Sequence, residues 1–353
     1  MIKSIVLFGD THGIPQVMKY IPHDLIACLV MASIRPHQER ELRQVANHHL
    51  IPLLIQPKRN TVDYDDFLQR IRDISPDLIL VNSYSMKLHP DVLELPRHGA
   101  INIHGALLPK YRGSNPIQWA IIHNEQETGV TMHFMSDRID EGPIIAQRRV
   151  LIQFNDTWVD VKDRIDRESE LLLSEVAPAL LSGNITGTPQ NSDCSSYFNR
   201  RTPEDGCIDW NKSILSIYNL IRALVAPLPG AYYVIDDQRI ILDKFLSLAE
   251  VASMKYGYSV AAERSESLEF RVLKPPGKSS TILLDILRVN DGASIGICSI
   301  EQQDYHLQTV ISKLRLKSGQ QRYKSEIQDA VQRFSSRELG IANLIGEYEE
   351  CPE

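Results

Sequence analysis

Residues 100–113 of the chain read AINIHGALLPKYRG, and this stretch predicts a short strand that ends in a sharp turn. Residues 100–103 are small or β-branched apart from Asn102, and they come shortly before Gly105. Alternate residues of a strand project to the same face. Asn102 and His104 therefore place an amide and an imidazole side by side at the end of this strand.

The first half of the chain alternates strand-like and helix-like stretches. The strand-like runs are residues 4–9, 25–32, 51–56, 77–83, 100–103 and 129–135, and the helical stretches include residues 37–48 and 64–74. This alternation predicts an α/β fold with a Rossmann-like, mostly parallel sheet flanked by helices. Ligands of such sheets bind beyond the carboxyl ends of the strands. The first strand is followed by GDTHG at residues 9–13 rather than by a Gly-x-Gly-x-x-Gly fingerprint, so we expect no nicotinamide or flavin cofactor.

A carboxylate follows the last of these strands: Asp140 lies in a loop bounded by Gly142 and Pro143. A carboxylate that accepts a hydrogen bond from one imidazole nitrogen raises the basicity of the other nitrogen, and an amide can donate to a developing oxyanion. This equipment suits acyl transfer. No Ser or Cys lies in a nucleophile-elbow or papain-type context, so the pattern favours direct attack by a substrate amine. The alternative is that each of these polar residues is structural or solvated.

The run from Asn102 to Ile121, continued by residues 127–131 and by the Asp140 loop, resembles the folate-dependent formyltransferase family. That family includes methionyl-tRNA formyltransferase, glycinamide ribonucleotide formyltransferase and the sugar-nucleotide N-formyltransferases. The resemblance implies that Asn102, His104 and Asp140 are the catalytic residues. It also implies that 10-formyltetrahydrofolate is the one-carbon donor, used as a cosubstrate.

The resemblance places folate binding in the loop after the fourth strand and in the loop that carries Asp140. The corresponding residues are Ser83, Tyr84, Ser85, Met86, Leu88 and Asp137. On sequence alone, Met86 and Leu88 fit equally well as core residues beneath a surface loop.

The acceptor is expected to carry phosphates, which guanidinium groups grip bidentately. The candidate phosphate ligands are Lys110, Arg112, Arg200, Arg201 and Arg222. Gly9 and Tyr111 complete the predicted substrate site, although a plain strand-to-helix turn also explains Gly9. Any one of the arginines could instead be a solvated surface charge.

The composition narrows the range of functions. At 353 residues, with 43% hydrophobic and 24% charged residues, the chain is typical of a globular protein with two or three domains. The formal charge of −7 argues against nucleic acid as a partner. No run of apolar residues is long enough for a membrane span and no signal peptide is evident, so we expect a cytoplasmic protein. The five scattered cysteines indicate neither disulfides nor zinc, and no metal is expected.

The sequence predicts three segments. Residues 1–185 form a catalytic domain closed by a long helix over residues 158–181, and residues 186–190 resemble a linker. Residues 195–248 resemble the C-terminal subdomain of the family, with a helix near 213–224. Residues 249–353 are unassigned; strand-like runs at 268–273, 281–288 and 293–300 and a helix at 323–334 suggest a β-rich accessory module. A homodimer is expected from the family.

The motif RRTPED at residues 200–205, together with GALLPKYRG at residues 105–113, makes the chain look most similar to the sugar-nucleotide formyltransferases. We therefore expect formyl transfer to the amine of a nucleoside-diphosphate-linked deoxyamino sugar. The alternatives are methionyl-tRNA formyltransferase, formyl transfer to another small amine, and a non-catalytic folate-binding protein. The negative charge counts against the first, and the presence of all three polar residues counts against the last.

Overall fold

The computed structural model describes residues 1–209, 211–235, 238–242, 259–264, 268–274, 282–289 and 298–300. The chain divides into two compact units. The first contains Met1–Gln153 and Trp158–Asp205, and the second contains Phe154–Thr157 and the chain from Gly206 onward. The segment around residues 186–205 thus belongs to the first unit.

The first unit alternates strands and helices as predicted. Its strands are β1 (Ile5–Gly9), β2 (Ile26–Ala32), β3 (Leu53–Gln56), β4 (Leu78–Asn82), β5 (Ala100–His104), β6 (Arg112–Gly113), β7 (Glu127–Phe134), β8 (Ile144–Leu151) and β9 (Tyr197–Phe198). Its helices are α1 (Gly13–Met18), α2 (Glu39–His49), α3 (Asp63–Ile74), α4 (Pro90–Leu93), α5 (Pro116–Ile122) and α6 (Trp158–Ser182). Short 3-10 turns occur at His23–Leu25, Pro36–Gln38, Ser192–Cys194 and Pro203–Gly206.

Seven of these strands form one sheet in the order β3-β2-β1-β4-β5-β7-β8. The five strands from β3 to β5 are parallel, whereas β7 and β8 are antiparallel to their neighbours. The prediction of a mostly parallel α/β sheet is confirmed. The strand order reverses between β1 and β4, which is where ligands bind in sheets of this type.

Every residue of β1 and β4 is buried, because a central parallel strand is covered by helices on both faces. Helix α3 covers one face with Tyr64, Phe67, Leu68 and Ile71. This spacing of three, four and seven residues places all four side chains on one side of the helix. The strand ends beside β1 and β4 are therefore supported by a continuous apolar core.

The segment of residues 186–190 does not act as a linker. Thr188 exchanges backbone hydrogen bonds of 2.8 Å with Ile144 at the start of β8, and a few residues later β9 pairs in parallel with β6. This segment is held by backbone hydrogen bonds to strands that are distant in the sequence. Its content of small and polar residues, typical of a loop, does not reveal such contacts.

The second unit contains the helix α7 (Ile214–Ala223) and two sheets. The strands β10 (Ala231–Ile235) and β11 (Gln238–Leu242) form a hairpin. A four-stranded antiparallel sheet contains β12 (Ser259–Arg264), β13 (Leu268–Lys274), β14 (Ile282–Val289) and β15 (Cys298–Ile300). The predicted β-rich C-terminal part is confirmed, and the helix predicted at 323–334 lies outside the described residues. Within the described part of the chain, no helix is long and apolar enough to cross a membrane.

Candidate active site

A cavity of about 540 Å³ lies in the first unit and is lined by residues that follow β1, β4 and β5. Several predicted site residues line it: Asn102, His104, Asp140, Ser83, Tyr84, Ser85, Met86, Leu88 and Arg200. A volume of this size lies within the usual range for small-molecule sites. The three predicted catalytic residues are thus brought together.

The strand β5 positions Asn102 and His104. It is hydrogen-bonded to β4 on one side and to β7 on the other, with Asn102 opposite His133 and His104 opposite Thr131. Thr131 supports the turn that follows, because its hydroxyl donates to the carbonyl of Ala106 at 2.6 Å and accepts from the amide of Leu108 at 3.1 Å. The polar end of β5 is therefore a rigid part of the sheet.

The ring of His104 is held from both sides. Its Nε2 lies 2.8 Å from the backbone oxygen of Tyr111, and its Nδ1 lies 3.5 Å from Oδ2 of Asp140. A carbonyl oxygen only accepts, so Nε2 carries a hydrogen and donates to Tyr111. From the sequence, the ring nitrogen opposite Asp140 is the one expected to take up the proton. In the structure that nitrogen is committed to the backbone, and Nδ1 is the one that remains.

Asp140 is buried and has a left-handed backbone, with φ of 58°. Its Oδ2 accepts a hydrogen bond of 2.8 Å from the amide of Gly113, and its Oδ1 lies 3.4 Å from Nε2 of His133. Burial alone would raise the pKa of Asp140. The positive charge of His104 when its ring is protonated, the hydrogen bond and charge of His133 when its ring is protonated, and the hydrogen bond from the amide of Gly113 outweigh burial and lower the pKa to about 2. The carboxylate is therefore ionised at neutral pH.

His133 is a member of the site that the sequence argument missed. Its Nδ1 donates to the backbone oxygen of Phe134 at 2.7 Å, so in the neutral ring Nε2 is an acceptor. That nitrogen faces Nδ2 of Asn102 at 3.3 Å, and the same amide nitrogen lies 3.5 Å from Asp140. His133 thereby orients the amide of Asn102 so that its N–H groups face the carboxylate side of the site.

The predicted folate loop lies against the cavity. The hydroxyl of Tyr84 donates to Gln56 at 2.8 Å, and Oγ of Ser85 accepts from Nε of Arg35 at 3.2 Å. Leu88 is 2% exposed and belongs to the hydrophobic core, so its side chain packs in the core and also lines the cavity. Asp137 is exposed and does not line the cavity, whereas its neighbours Ser136 and Arg138 do.

Most of the residues predicted to bind the acceptor substrate lie outside the cavity. Gly9, Lys110, Tyr111, Arg112 and Arg201 do not line the cavity. A Cβ at Gly9 would lie 2.7 Å from the backbone oxygen of Asn82, so this glycine permits a close backbone approach. Lys110 is exposed and lies 3.9 Å from Glu125.

Three of the side chains predicted to bind the acceptor are instead engaged by other parts of the protein. The hydroxyl of Tyr111 donates to Glu125 at 2.9 Å, and Arg112 is buried and donates to Gln190. Arg222, in the second unit, is buried and donates to Asn219 and to the backbone of Asp156. Arg201 is half-buried, its amide donates to Asn115 at 3.3 Å, and its Nε has no partner among the described residues. Of the predicted phosphate ligands in the first unit, Arg200 is the one that reaches the cavity.

The chemistry of the site follows from these contacts. An imidazole nitrogen faces an ionised carboxylate, and an amide N–H donor lies within 3.5 Å of the same carboxylate. This arrangement can accept a proton, stabilise the resulting imidazolium and donate to an oxyanion.

Comparisons with known proteins identify relatives of the chain. A family model described as formyl transferase matches residues 26–177, and a second, described as formyl transferase, C-terminal domain, matches residues 200–288. The bifunctional polymyxin resistance protein ArnA of Wigglesworthia glossinidia brevipalpis is 40% identical over 196 residues, which are 56% of this chain and 30% of that relative. The chain thus spans less than a third of the length of that curated relative.

Solved structures share the fold. A 4-N formyltransferase from Francisella tularensis has a TM-score of 0.57 at 18% identity, over 69% of this chain and 98% of that one. An N-formyltransferase from Helicobacter canadensis in complex with folinic acid and dTDP-3-aminofucose has a TM-score of 0.55 at 19% identity, over 82% of this chain and 99% of that one. At these identities the likeness concerns the fold.

Proposed function

Because the chain belongs to the formyl transferase family, whose two domain models together match more than half of it, we propose that it is an N-formyltransferase. It moves the formyl group of 10-formyltetrahydrofolate to the amine of a nucleoside-diphosphate-linked deoxyamino sugar. The observation that carries this proposal is the meeting of Asn102, His104 and Asp140 in one cavity.

The attacking amine must be uncharged, since an ammonium ion has no lone pair. Nε2 of His104 donates to Tyr111, so Nδ1 is the ring nitrogen that takes up the proton of the attacking amine. Asp140, ionised and 3.5 Å away, stabilises the protonated ring. The proton therefore arrives on the side of the ring that faces the carboxylate.

Asn102 donates to the oxyanion that forms on the formyl oxygen as the amine attacks the formyl carbon. When this intermediate collapses, the bond from the formyl carbon to N10 of the folate breaks, and the proton held by His104 passes to N10 of the departing tetrahydrofolate. Among the described residues, Nδ2 of Asn102 makes two hydrogen bonds, and both are long, 3.3 Å to His133 and 3.5 Å to Asp140. An N–H that is weakly engaged can turn to a stronger acceptor when charge develops there. His133 keeps this nitrogen, rather than the amide oxygen, directed into the site.

The donor fits the loop of residues 83–88, which lines one part of the cavity. A pterin is flat, with apolar faces and hydrogen-bonding edges, and it needs a slot bounded by backbone and small polar groups. Ser83, Ser85 and Met86 offer such a boundary beside Asn102.

The acceptor class is supported by Arg200 and by the sequence motif around it. Arg200 lines the cavity together with Ser114 and Asn115, and a guanidinium at the rim suits a phosphate. The Helicobacter canadensis structure named above holds folinic acid and a dTDP-sugar in the same fold. The proposal also holds that both substrates are small molecules and that neither nucleic acid nor a membrane takes part. The protein is further proposed to be a homodimer, which a measurement of its mass in solution tests.

The test incubates the protein with 10-formyltetrahydrofolate and a panel of UDP-, dTDP- and GDP-linked amino sugars, and mass spectrometry detects a gain of one formyl group. Arg200→Ala is expected to raise KM for the accepted sugar nucleotide about tenfold, as for loss of a charge-assisted hydrogen bond, with KM for the folate unchanged. Arg149→Ala is the matched control, because Arg149 is an exposed arginine of β8 that forms an ion pair with Glu127 of β7. Formylation of methionyl-tRNA or of glycinamide ribonucleotide in preference to every sugar would overturn the acceptor assignment.

A further inference from the structure

Gln190 connects the loop of Asp140 to the rest of the first unit. Its Nε2 lies 2.8 Å from the backbone oxygen of Asp140 and 2.8 Å from that of Gly142. Its Oε1 accepts from Nε of Arg112 at 3.1 Å and from Nη2 at 2.8 Å. We propose that Gln190 is a positioning residue, which sets the place of the Asp140 carboxylate through these backbone contacts. This inference rests on the proposed function, since it assigns Gln190 a part in the same site.

The orientation of the Gln190 amide is determined from both ends. A guanidinium only donates, so the atom facing Arg112 must be the oxygen. Backbone carbonyls only accept, so the atom facing Asp140 and Gly142 must be the NH₂ group. All four hydrogen bonds agree on one orientation, and a reversed amide would lose every one of them.

Arg112 is itself unable to move freely. It is 6% exposed, its Nη1 lies 3.5 Å from Glu141, and its backbone amide donates to Ser196 at 2.9 Å. A buried guanidinium must keep its hydrogen-bond acceptors because desolvation is costly. Arg112 therefore holds Gln190 in place, and this accounts for an arginine that the sequence argument assigned to phosphate.

The Asp140 loop needs such an anchor. The residues before Asp140 are exposed, Ile139 by 41%, and Asp140 has the left-handed φ of 58°, which a residue other than glycine adopts only when its surroundings require it. The base of the loop is closed by the 2.9 Å hydrogen bond from the amide of Phe134 to the oxygen of Pro143. Near its tip, Gln190 holds the two carbonyls that flank Glu141.

The variant that isolates this role is Gln190→Glu. The two side chains have the same shape, and a carboxylate still accepts from Arg112, but it cannot donate to Asp140 and Gly142. Asn191→Ala is the matched control, because the side-chain hydrogen bonds of the neighbouring Asn191, to Asp193 and Cys194, stay within a local turn.

We expect Gln190→Glu to lower kcat by about 10- to 100-fold, the loss typical of a catalytic group misplaced by about 1 Å. KM for the folate and for the acceptor should change less than threefold, and Asn191→Ala should stay close to the wild type. A kcat for Gln190→Glu within twofold of wild type would overturn the proposal. If Gln190→Glu does not fold, Gln190→Ala is measured with the same expectation and the same criterion.

A second measurement needs no substrate. ¹⁵N NMR of histidine-labelled protein reports the ring nitrogens of His104 and His133, with assignment from His104→Gln and His133→Gln. Gln190→Glu should shift both signals in the direction seen in Asp140→Asn, because both rings lie within 3.5 Å of the carboxylate. Unchanged signals would refute the positioning role. Shifted signals in a protein that formylates no acceptor would instead leave the positioning of Asp140 intact and refute the proposed function.

Discussion

The two sides of the candidate site are built in different ways. Asn102 and His104 lie on β5, where backbone hydrogen bonds to β4 and β7 determine their positions. Asp140 lies in the connection from β7 to β8, where its backbone oxygen is bound by a side chain 50 residues away and its carboxylate by the amide of Gly113. The strand side is fixed by the sheet, whereas the loop side is fixed by tertiary hydrogen bonds.

This difference has consequences for mutation. A change in the strand side must disturb the sheet before it moves Asn102 or His104. A change in the loop side can move Asp140 while the sheet stays intact, because local opening of a loop costs much less than global unfolding. Mutations of residues that only support the site should therefore lower activity more on the loop side than on the strand side.

The largest effect is expected where the two sides meet. His104→Ala and Asp140→Ala should each lower formyl transfer by several orders of magnitude with the fold retained, because the proton acceptor and its counter-charge act as one unit. For the same reason the double variant should be little worse than the worse single variant. Steady-state kinetics of the three variants, with circular dichroism as a check on folding, measures this.

The contrary outcome is equally clear. If the losses of the two single variants multiply in the double variant, the two residues act independently, and the strand and loop sides do not form one catalytic unit. Turnover near the wild-type rate in either single variant would remove that residue from the chemistry.

A smaller loss of kcat is expected from changes that alter only the packing against the backbone, and it should differ between the two sides. At Gly142, on the loop side, an added Cβ would lie 1.8 Å from the backbone oxygen of Phe134. At Gly105, on the strand side, it would meet Ile117 and Ile165 at 3.9 Å, an ordinary contact. Gly142→Ala must therefore move the Asp140 loop, and it should lower kcat roughly 100-fold, as for a 1 Å displacement of a catalytic group.

Gly105→Ala is the matched control, because the same methyl group is added next to His104 without any required backbone shift. Gly105→Ala should lower kcat by less than roughly tenfold, since no catalytic group is displaced. Comparable losses in the two variants would show that the loop side is no more sensitive than the strand side.

The same difference explains which features the sequence could predict. The buried runs of β1 and β4 and the periodic apolar face of α3 carry their structure in their own residues, so those elements were predicted within a few residues. Asn102 and His104 were placed correctly because strand alternation is local. The position of Asp140 in the loop after the next strand places it near them, and the family resemblance adds its catalytic role.

The rest depended on contacts between distant segments. His133 received no role because its approach to Asn102 requires the antiparallel register of β5 and β7, although the alternation of Thr131 and His133 in one strand gave a hint. Gln190 was placed in a linker-like stretch, since proline, glycine and threonine nearby suggest a loop and do not show what the loop touches. Arg112 was assigned to phosphate because its burial next to Gln190 is not evident from its neighbours in the chain.

The smallest effect concerns stability rather than rate and tests how firmly the loop side holds its charge. The pKa of Asp140 falls from 3.8 to about 2 in the folded protein. Because folding lowers this pKa, the charged carboxylate stabilises the fold when the pH is above 3.8, the pKa in the unfolded chain. This contribution is lost as the pH falls through about 2. This lowering of the pKa corresponds to about 2 kcal/mol. The free energy of unfolding of Asp140→Asn, measured with urea, should therefore lie below that of the wild type at pH 5, and the gap should narrow as the pH is lowered to 2.5. Asp137→Asn is the control, because it removes one exposed carboxylate from the same loop. A gap for Asp140→Asn that does not change with pH would show that the imidazoles and the amide of Gly113 do not hold the carboxylate in its charged form.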